Sequence, residues 1–289
     1  MRKADRMPSW VARALYASGR RLPQAVKAAL YQAPLVPAGV GWLLRRSAPE
    51  GRVVVGVSGG ICCGSRMKLH LSRDRFYWLG MHEIGVQRAL ERETRPGMTV
   101  YDIGAHLGFF SLGLARLVGP AGKVFAFEPM PENAQALREN VALNDSLAGR
   151  VRVVEAAVSE ASGRQVFYGQ VNSAQGRLGE PGARPGPSYE VETVSLDDFV
   201  FSRREAAPQL IKLDVEGAEG AALQGARRLL REARPVCLLE VHGEEAARAV
   251  WEVLREAQYE IKTLNGEPVF EAGGLAHHHH HHVVARGAG

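Results

Sequence analysis

The sequence predicts an α/β fold: a doubly wound, mostly parallel sheet with a C-terminal antiparallel hairpin and an N-terminal helical extension. Three observations carry this. Short apolar runs at residues 99–103, 123–128, 151–157, 210–214 and 236–241 alternate with helical patterns at 108–118, 131–143, 217–232 and 244–256. Runs without polar alternation belong to parallel strands covered on both faces. The turn after the first strand is punctuated by Gly104 and Gly108, which makes a strand–turn–helix unit open to a nucleotide-like ligand. Acids stand at or near the ends of these strands, at Asp102, Glu128, Asp214 and Glu240.

A chain of 289 residues holds one large core, or one core with a small appendage. Hydrophobic residues at 46% and charged residues at 23% suit a globular enzyme and leave no room for a disordered or fibrous class. The net charge of +5 raises nucleic acid or an anionic membrane as partners. Its distribution argues otherwise for the core, because residues 1–46 hold nine Lys/Arg against the single acid Asp5. Cys62, Cys63 and Cys237 have neither a zinc spacing nor a disulfide pattern, so the reducing cytoplasm is the expected compartment. No run reaches the roughly 20 apolar residues of a membrane span, and no signal-peptide core is evident.

Residues 1–50 read as a basic extension of short helices broken by Pro23, Pro34 and Pro37. Its amphipathic pattern fits three roles: peripheral contact with a membrane through residues 1–46, docking on a partner, or capping the sheet. Residues 51–95 read as a β-hairpin within 51–71, then a helix running through Leu90 into the core. The core domain is placed at 96–272. Within it, 158–205 interrupts the βα rhythm, with a Gly/Pro-rich loop at 176–186 between added strands at 166–168 and 189–194. Such an insertion beside strand ends suits a substrate wall. Residues 259–264 and 267–270, around Asn265 and Gly266, read as the closing hairpin. Residues 273–289 are set aside as a tail, because His277 to His282 resemble a purification tag.

The acids decide the ligand. A carboxylate at Asp102, beside the glycine turn, would repel a pyrophosphate but suits a ligand carrying an ammonium group. S-adenosyl-L-methionine is such a ligand. Glu128 stands 24 residues past Gly104, about where doubly wound folds place the acid that accepts hydrogen bonds from ribose hydroxyls. The bland alternatives are a tight βα turn for the glycines and a helix-start acid for Glu128, before Pro129 and Pro131. Asp214, Glu216 and Glu219 form a second dense group, and Glu240 and His242 end the fifth strand. Helix capping accounts for Glu219 equally well.

Residues 100–112 (VYDIGAHLGFFSL), 125–129 (FAFEP), 140–144 (NVALN), 193–199 (TVSLDDF), 211–219 (IKLDVEGAE) and 239–242 (LEVH) together resemble the FkbM-type methyltransferases. The resemblance spans about residues 76–270 and departs at His106, where Asn is common. It implies a class I methyltransferase, Rossmann-like fold and methyl transfer to a hydroxyl on a sugar, glycan or natural product. On that reading Asp102, Gly104, Ala105, Gly108 and Phe109 shape the methionine berth, with Glu83 facing its ammonium group. Glu128 and Pro129 hold the ribose, and Ala157 and Val158 flank the adenine.

An acceptor hydroxyl must lose a proton. His242 is the expected proton acceptor, with Asp214 orienting the acceptor or the imidazole. Asp214 and Glu240 offer hard oxygen ligands for a divalent metal, but two acids make a thin site, and a metal is an open reading that is not favoured. RNA or protein methylation and a non-catalytic cofactor-binding scaffold are the rival functions. No dense Arg/aromatic run flanks Asp214 or His242, so a small molecule or glycan is the expected acceptor rather than nucleic acid. Nothing in the sequence fixes an oligomeric state.

Overall fold

The computed structural model describes residues 9–32, 36–169, 176–179, 187–276 and 282–288. Helices α1 (Ser9–Arg21), α2 (Gln24–Gln32) and α3 (Val36–Ser47) form the N-terminal extension. Pro23 separates the first two, whereas Pro37 lies in the first turn of α3, where a missing N–H costs nothing. Pro34 lies outside the described residues. Of the three roles left open, the structure realises packing on the chain's own domain. Lys27 is buried and donates from Nζ to the Ser58 carbonyl at 2.9 Å, and Gln24 Nε2 donates to the Gly80 carbonyl at 2.7 Å. Leu44 enters the main core, while Trp10 and Trp42 stay exposed.

Strands β1 (Val53–Gly56) and β2 (Arg66–Leu69) pair antiparallel as the expected hairpin. Short α4 (Arg75–Leu79) and α5 (Ile84–Glu93) lead into the sheet. There follow β3 (Thr99–Ile103), α6 (Phe109–Leu117), β4 (Lys123–Phe127), α7 (Pro131–Ala142), α8 (Asp145–Ala148) and β5 (Val151–Val154). The insertion supplies β6 (Ala157–Val158), β7 (Gly163–Gly169), β8 (Gly176–Gly179) and β9 (Ser188–Val194). Then come β10 (Leu210–Leu213), α9 (Glu219–Gln224), α10 (Arg227–Glu232), β11 (Val236–Glu240), α11 (Gly243–Glu256), β12 (Tyr259–Thr263), α12 (Gly273–Ala276) and β13 (His282–Gly287).

Among the described residues the main sheet has seven strands in the order β12-β13-β11-β10-β3-β4-β5. The run from β11 to β5 is parallel throughout, and β13 is antiparallel to both its neighbours. Alternate residues of β3 feed two cores. Val100 packs on the α5–α6 side, and Tyr101 and Ile103 pack on the side of α9 to α11. In α11 the buried positions Ala246, Ala247, Val250, Val253 and Leu254 fall on one helical stripe, and Glu244 and Glu245 occupy the first turn, where the helix dipole favours acids.

The expected hairpin at 259–264 and 267–270 is reduced to a tight reversal, closed by the Thr263 N–H on the Glu267 carbonyl at 2.8 Å and the Val269 N–H on the Ile261 carbonyl at 2.9 Å. Only an isolated bridge joins Lys262 to Pro268, and β12 pairs instead with β13. Pro268 has no N–H to give a ladder, whereas the apolar run Val283, Val284, Ala285 is wholly buried between β11 and β12. The tail boundary at 273 is therefore corrected, since the core extends to β13. The strand expected at 151–157 breaks after Val154, and Ala157–Val158 pairs with β9 in a separate four-stranded sheet. The helix expected at 217–232 is likewise two helices. Gly225 lies between them, where an added Cβ would stand 2.1 Å from the Ser159 carbonyl oxygen. Of the loop expected at 176–186, residues 176–179 form β8 and the rest lie outside the described residues.

Candidate active site

Parallel strands β3, β4, β10 and β11 end at one edge of the sheet, and the cleft opens there. Its two compartments meet at Gly104, Glu128, Asp214 and Glu216. The first is largely apolar, with Phe127, Pro129, Met130, Ala156, Ala157 and Val158 in its wall. The second is polar and aromatic, with Tyr77, His82, Glu83, His106, Phe109 and Lys212 around it, and Ala105 and Glu240 also reach it.

The glycine turn is built by necessity. Gly104 has φ +82°, and a Cβ there would lie 1.8 Å from the Asp214 carbonyl oxygen, so no side chain fits between β3 and β10. Gly108 has φ +87° and packs against Leu137, which keeps it out of the cleft lining. His106 also adopts a positive φ, 49°, unusual for a side-chain-bearing residue. Its N–H donates to Glu128 Oε2 at 2.8 Å, and the Met130 N–H donates to Oε1 at 3.0 Å. Glu128 thus ties the first turn to the second strand, at the junction of the two compartments. Burial pushes its carboxyl up to about 7, against the opposing pull of these two N–H groups.

A pH dependence follows. If Glu128 takes the hydrogen bond of a ribose hydroxyl, as the family resemblance implies, a nucleoside ligand binds best when this carboxyl has lost its proton. Affinity is expected to rise with pH up to about 7 and to level off above. On the acid side it falls by up to about tenfold per pH unit. Glu128→Gln should flatten this profile in calorimetric titrations between pH 5.5 and 8.5. An unchanged slope in the variant would show that another group sets it.

Asp102 does not line the cleft. It is fully buried, accepts a hydrogen bond from Ser111 Oγ at 2.5 Å, and lies 3.7 Å from Lys212 Nζ, which is also buried. Lys212 is its register partner on β10 and reaches Asp214 at 3.2 Å. Burial alone would lower the Lys212 pKa, but Asp214 and Asp102 hold it above the ordinary lysine range. The Asp102 carboxylate therefore faces Lys212 and Ser111 in the interior, and of these Lys212 lines the cleft. The sequence carried a signal for Lys212, a charge inside the otherwise apolar run Leu210–Leu213.

The structure changes the meaning of His242. Its Nδ1 lies 2.6 Å from Oε1 of the fully buried Glu219, and its Nε2 lies 3.5 Å from Glu240 and 3.8 Å from Glu216. Glu219 first, then Glu240, raises this imidazole to about 10. His242 is therefore protonated near neutral pH and is not a ready proton acceptor. It also stands behind Glu240 and Glu216 instead of lining the cleft. Glu219 does help the helix start, accepting from the Gly217 N–H at 2.9 Å, but it holds the imidazole as well. Asp214 lines both compartments, and its carboxylate, Glu240 and His242 present side-chain atoms within 4.8 Å of one another.

His106 contrasts with His242. Burial, then the nearby His82, pushes it down to about 3, so it stays neutral, with Nδ1 3.1 Å from the Tyr77 hydroxyl. Tyr77 stacks on Phe109, with ring centroids 5.2 Å apart. Of the residues expected at the site, Glu83, Gly104, Ala105, Phe109, Glu128, Pro129, Ala157, Val158 and Asp214 line the cleft. Tyr77, His82, Lys212 and Phe110 join them without having been singled out.

Comparison with known proteins gives the family. The profile of the Methyltransferase FkbM domain matches residues 102–261. The 31-O-demethyl-FK506 methyltransferase FkbM of Streptomyces tacrolimicus is 35% identical over 162 residues, covering 46% of this chain and 61% of that protein. The hexuronic acid methyltransferase AglP of Haloferax volcanii is 30% identical over 195 residues, covering 66% of this chain and 76% of that protein. The 2-O-methyltransferase NoeI of Sinorhizobium fredii is 29% identical over 155 residues, covering 48% and 62%. The chain thus spans somewhat under two thirds of the first and third of these relatives.

Proposed function

The chain belongs to the FkbM methyltransferase family, and from that premise we propose that it transfers the methyl group of S-adenosyl-L-methionine to a hydroxyl on a sugar, glycan or natural product. The observation that carries this is the two-part cleft at the carboxyl edge of the sheet with Glu128 at its junction. The residues fit the cofactor. The apolar slot beside Ala157, Val158 and Pro129 suits a flat base, and Glu128 offers the ribose an acceptor. The second compartment gives a methionine moiety the polar backbone of the Gly104–Ala105 turn and the carboxylate of Glu83.

When bound, the sulfonium supplies an already electrophilic methyl group, so the protein has only to align an acceptor oxygen in line and manage its proton. Asp214, open to the cleft, takes the acceptor's hydrogen bond and then its proton. Protonated His242, held by Glu219, backs Glu240 and keeps that edge of the site fixed. Tyr77 and Phe109 form an aromatic wall that excludes water. Supporting the acceptor class, the relatives' names refer to FK506, to a hexuronic acid and to a 2-O position.

The test is a calorimetric titration with S-adenosyl-L-methionine, S-adenosylhomocysteine and NAD. Saturable binding of the first two is expected, and tight NAD binding without them would overturn the cofactor. Incubating methyl-labelled cofactor with glycans, phenols and RNA then reads the acceptor. Label on RNA, or cofactor binding without any turnover, would favour one of the rival functions.

A further inference from the structure

We propose that Glu83, Glu240 and His282 form a binding site for a first-row divalent cation at the outer end of the second compartment. The three residues come from distant parts of the chain: the start of α5, the end of β11 and the first residue of β13. Glu240 and His282 are direct register partners, so the pleat sends both side chains to one face of the sheet. Glu83 meets them from α5, and one ligand atom from each of the three lies within 4.8 Å of the others.

Two details point beyond a chance cluster of charges. His282 Nε2 lies 3.1 Å from a Glu240 oxygen and 3.7 Å from Glu83 Oε2. Both atoms are buried, and Glu240 and Glu83 hold the imidazole between them, raising it to about 9 against the burial that would lower it, so a cation bound here takes the place of its proton. Second, Glu83 holds φ 44° in the left-handed region, and its side chain makes no capping hydrogen bond to α5. Helix capping therefore does not explain the strained backbone, while aiming Oε2 at His282 and Glu240 does.

The donor set selects the ion. Two carboxylate oxygens and one imidazole nitrogen suit manganese, iron, cobalt or zinc better than calcium or magnesium, which take oxygen alone. Three protein donors leave coordination positions open towards the cleft, as catalytic sites do. Asp214 and Glu216 add negative charge nearby, and the lysine at hand, Lys212, is engaged by Asp102 and Asp214. Binding of the cation stands apart from methyl transfer. Its use, drawing the acceptor hydroxyl into place as a Lewis acid, rests on the proposed function.

The experiment uses the full chain, purified without added tags, stripped with chelator and kept free of S-adenosyl-L-methionine. Mn2+ is titrated in, and the loss of the free aqueous ion's EPR signal gives the bound fraction. One tight site is expected, weakened at least tenfold by Glu83→Gln and by His282→Gln. Replacing the five preceding histidines (277–281) with serine should leave it unchanged, which separates this site from capture by the run. Two substitutions on different elements guard against a local folding defect, as does Mn2+ raising the melting temperature of the unaltered chain.

The proposal is overturned if no saturable Mn2+ site is found, or if the serine replacement abolishes it. It is also overturned if Asp214→Asn removes the site while Glu83→Gln and His282→Gln spare it. In that last case the cation belongs to the neighbouring group of Asp214, Glu240 and His242. Cofactor titration of the unaltered chain and of His282→Gln reports on the methyltransferase reading separately, whereas Glu83 is shared by the two sites and its variant reads the cation alone.

Discussion

A chain ending at residue 281 fails to fold. The residues removed contain β13, which lies inside the sheet between β11 and β12 and pairs with both. Val283, Val284 and Ala285 are wholly buried, with Val284 in one core and the other two in the second. Burying a valine side chain contributes roughly 1.5–3 kcal/mol, and each ladder hydrogen bond roughly 0.5–1.5 kcal/mol net. Losing two valines and both ladders removes most of the roughly 5–15 kcal/mol by which a domain is stable. The last strand also carries Arg286, paired with Glu93 at 2.6 Å, so its loss loosens α5 as well. Circular dichroism during heating should show no cooperative transition for the truncated chain. Val284→Asp, which buries one unpaired carboxylate, should lower the midpoint sharply while leaving the length intact. A soluble truncated chain with the full-length transition would show that β13 is dispensable.

Asp214→Asn lowers turnover about 100- to 10,000-fold, the usual cost of losing a general base. The amide keeps the shape of the side chain and a hydrogen bond to the acceptor, but it takes no proton at neutral pH. Cofactor affinity should change little, because the close packing of Gly104 is against the backbone of Asp214 and not its carboxylate. His242→Gln should cost less and act mainly on KM, since the imidazole is already protonated and positions the Glu240 edge. Once an acceptor is in hand, single-turnover rates separate the two. Near-normal turnover in Asp214→Asn, together with collapse in His242→Gln, would return the proton-acceptor role to His242.

The proposed exchange of roles between these two residues marks where a one-dimensional reading stops. Sequence placed His242 after a strand at the ligand edge, and that was right. What it could not weigh was Glu219, 23 positions earlier, whose buried carboxylate fixes the charge of the ring. Asp102 is a similar case. Its place beside the glycine turn was legible, but Lys212 opposite it and Ser111 beneath it turn the carboxylate away from the cleft.

Local chemistry was determined by the sequence itself. Apolar runs, the left-handed glycines and the strand-end acids depend on residues within a turn or two of each other, so β3, α6, β4, β10, β11 and the part of the cleft at Gly104, Glu128 and Asp214 could be read directly. The tertiary structure alone decided which strands became neighbours. A run of histidines followed by Val283 and Val284 says nothing, by itself, about insertion between β11 and β12, because that pairing is fixed by burial on two faces at once. The same long-range pairing carries His282 to Glu240 and Glu83, some 40 and 200 residues away in the chain.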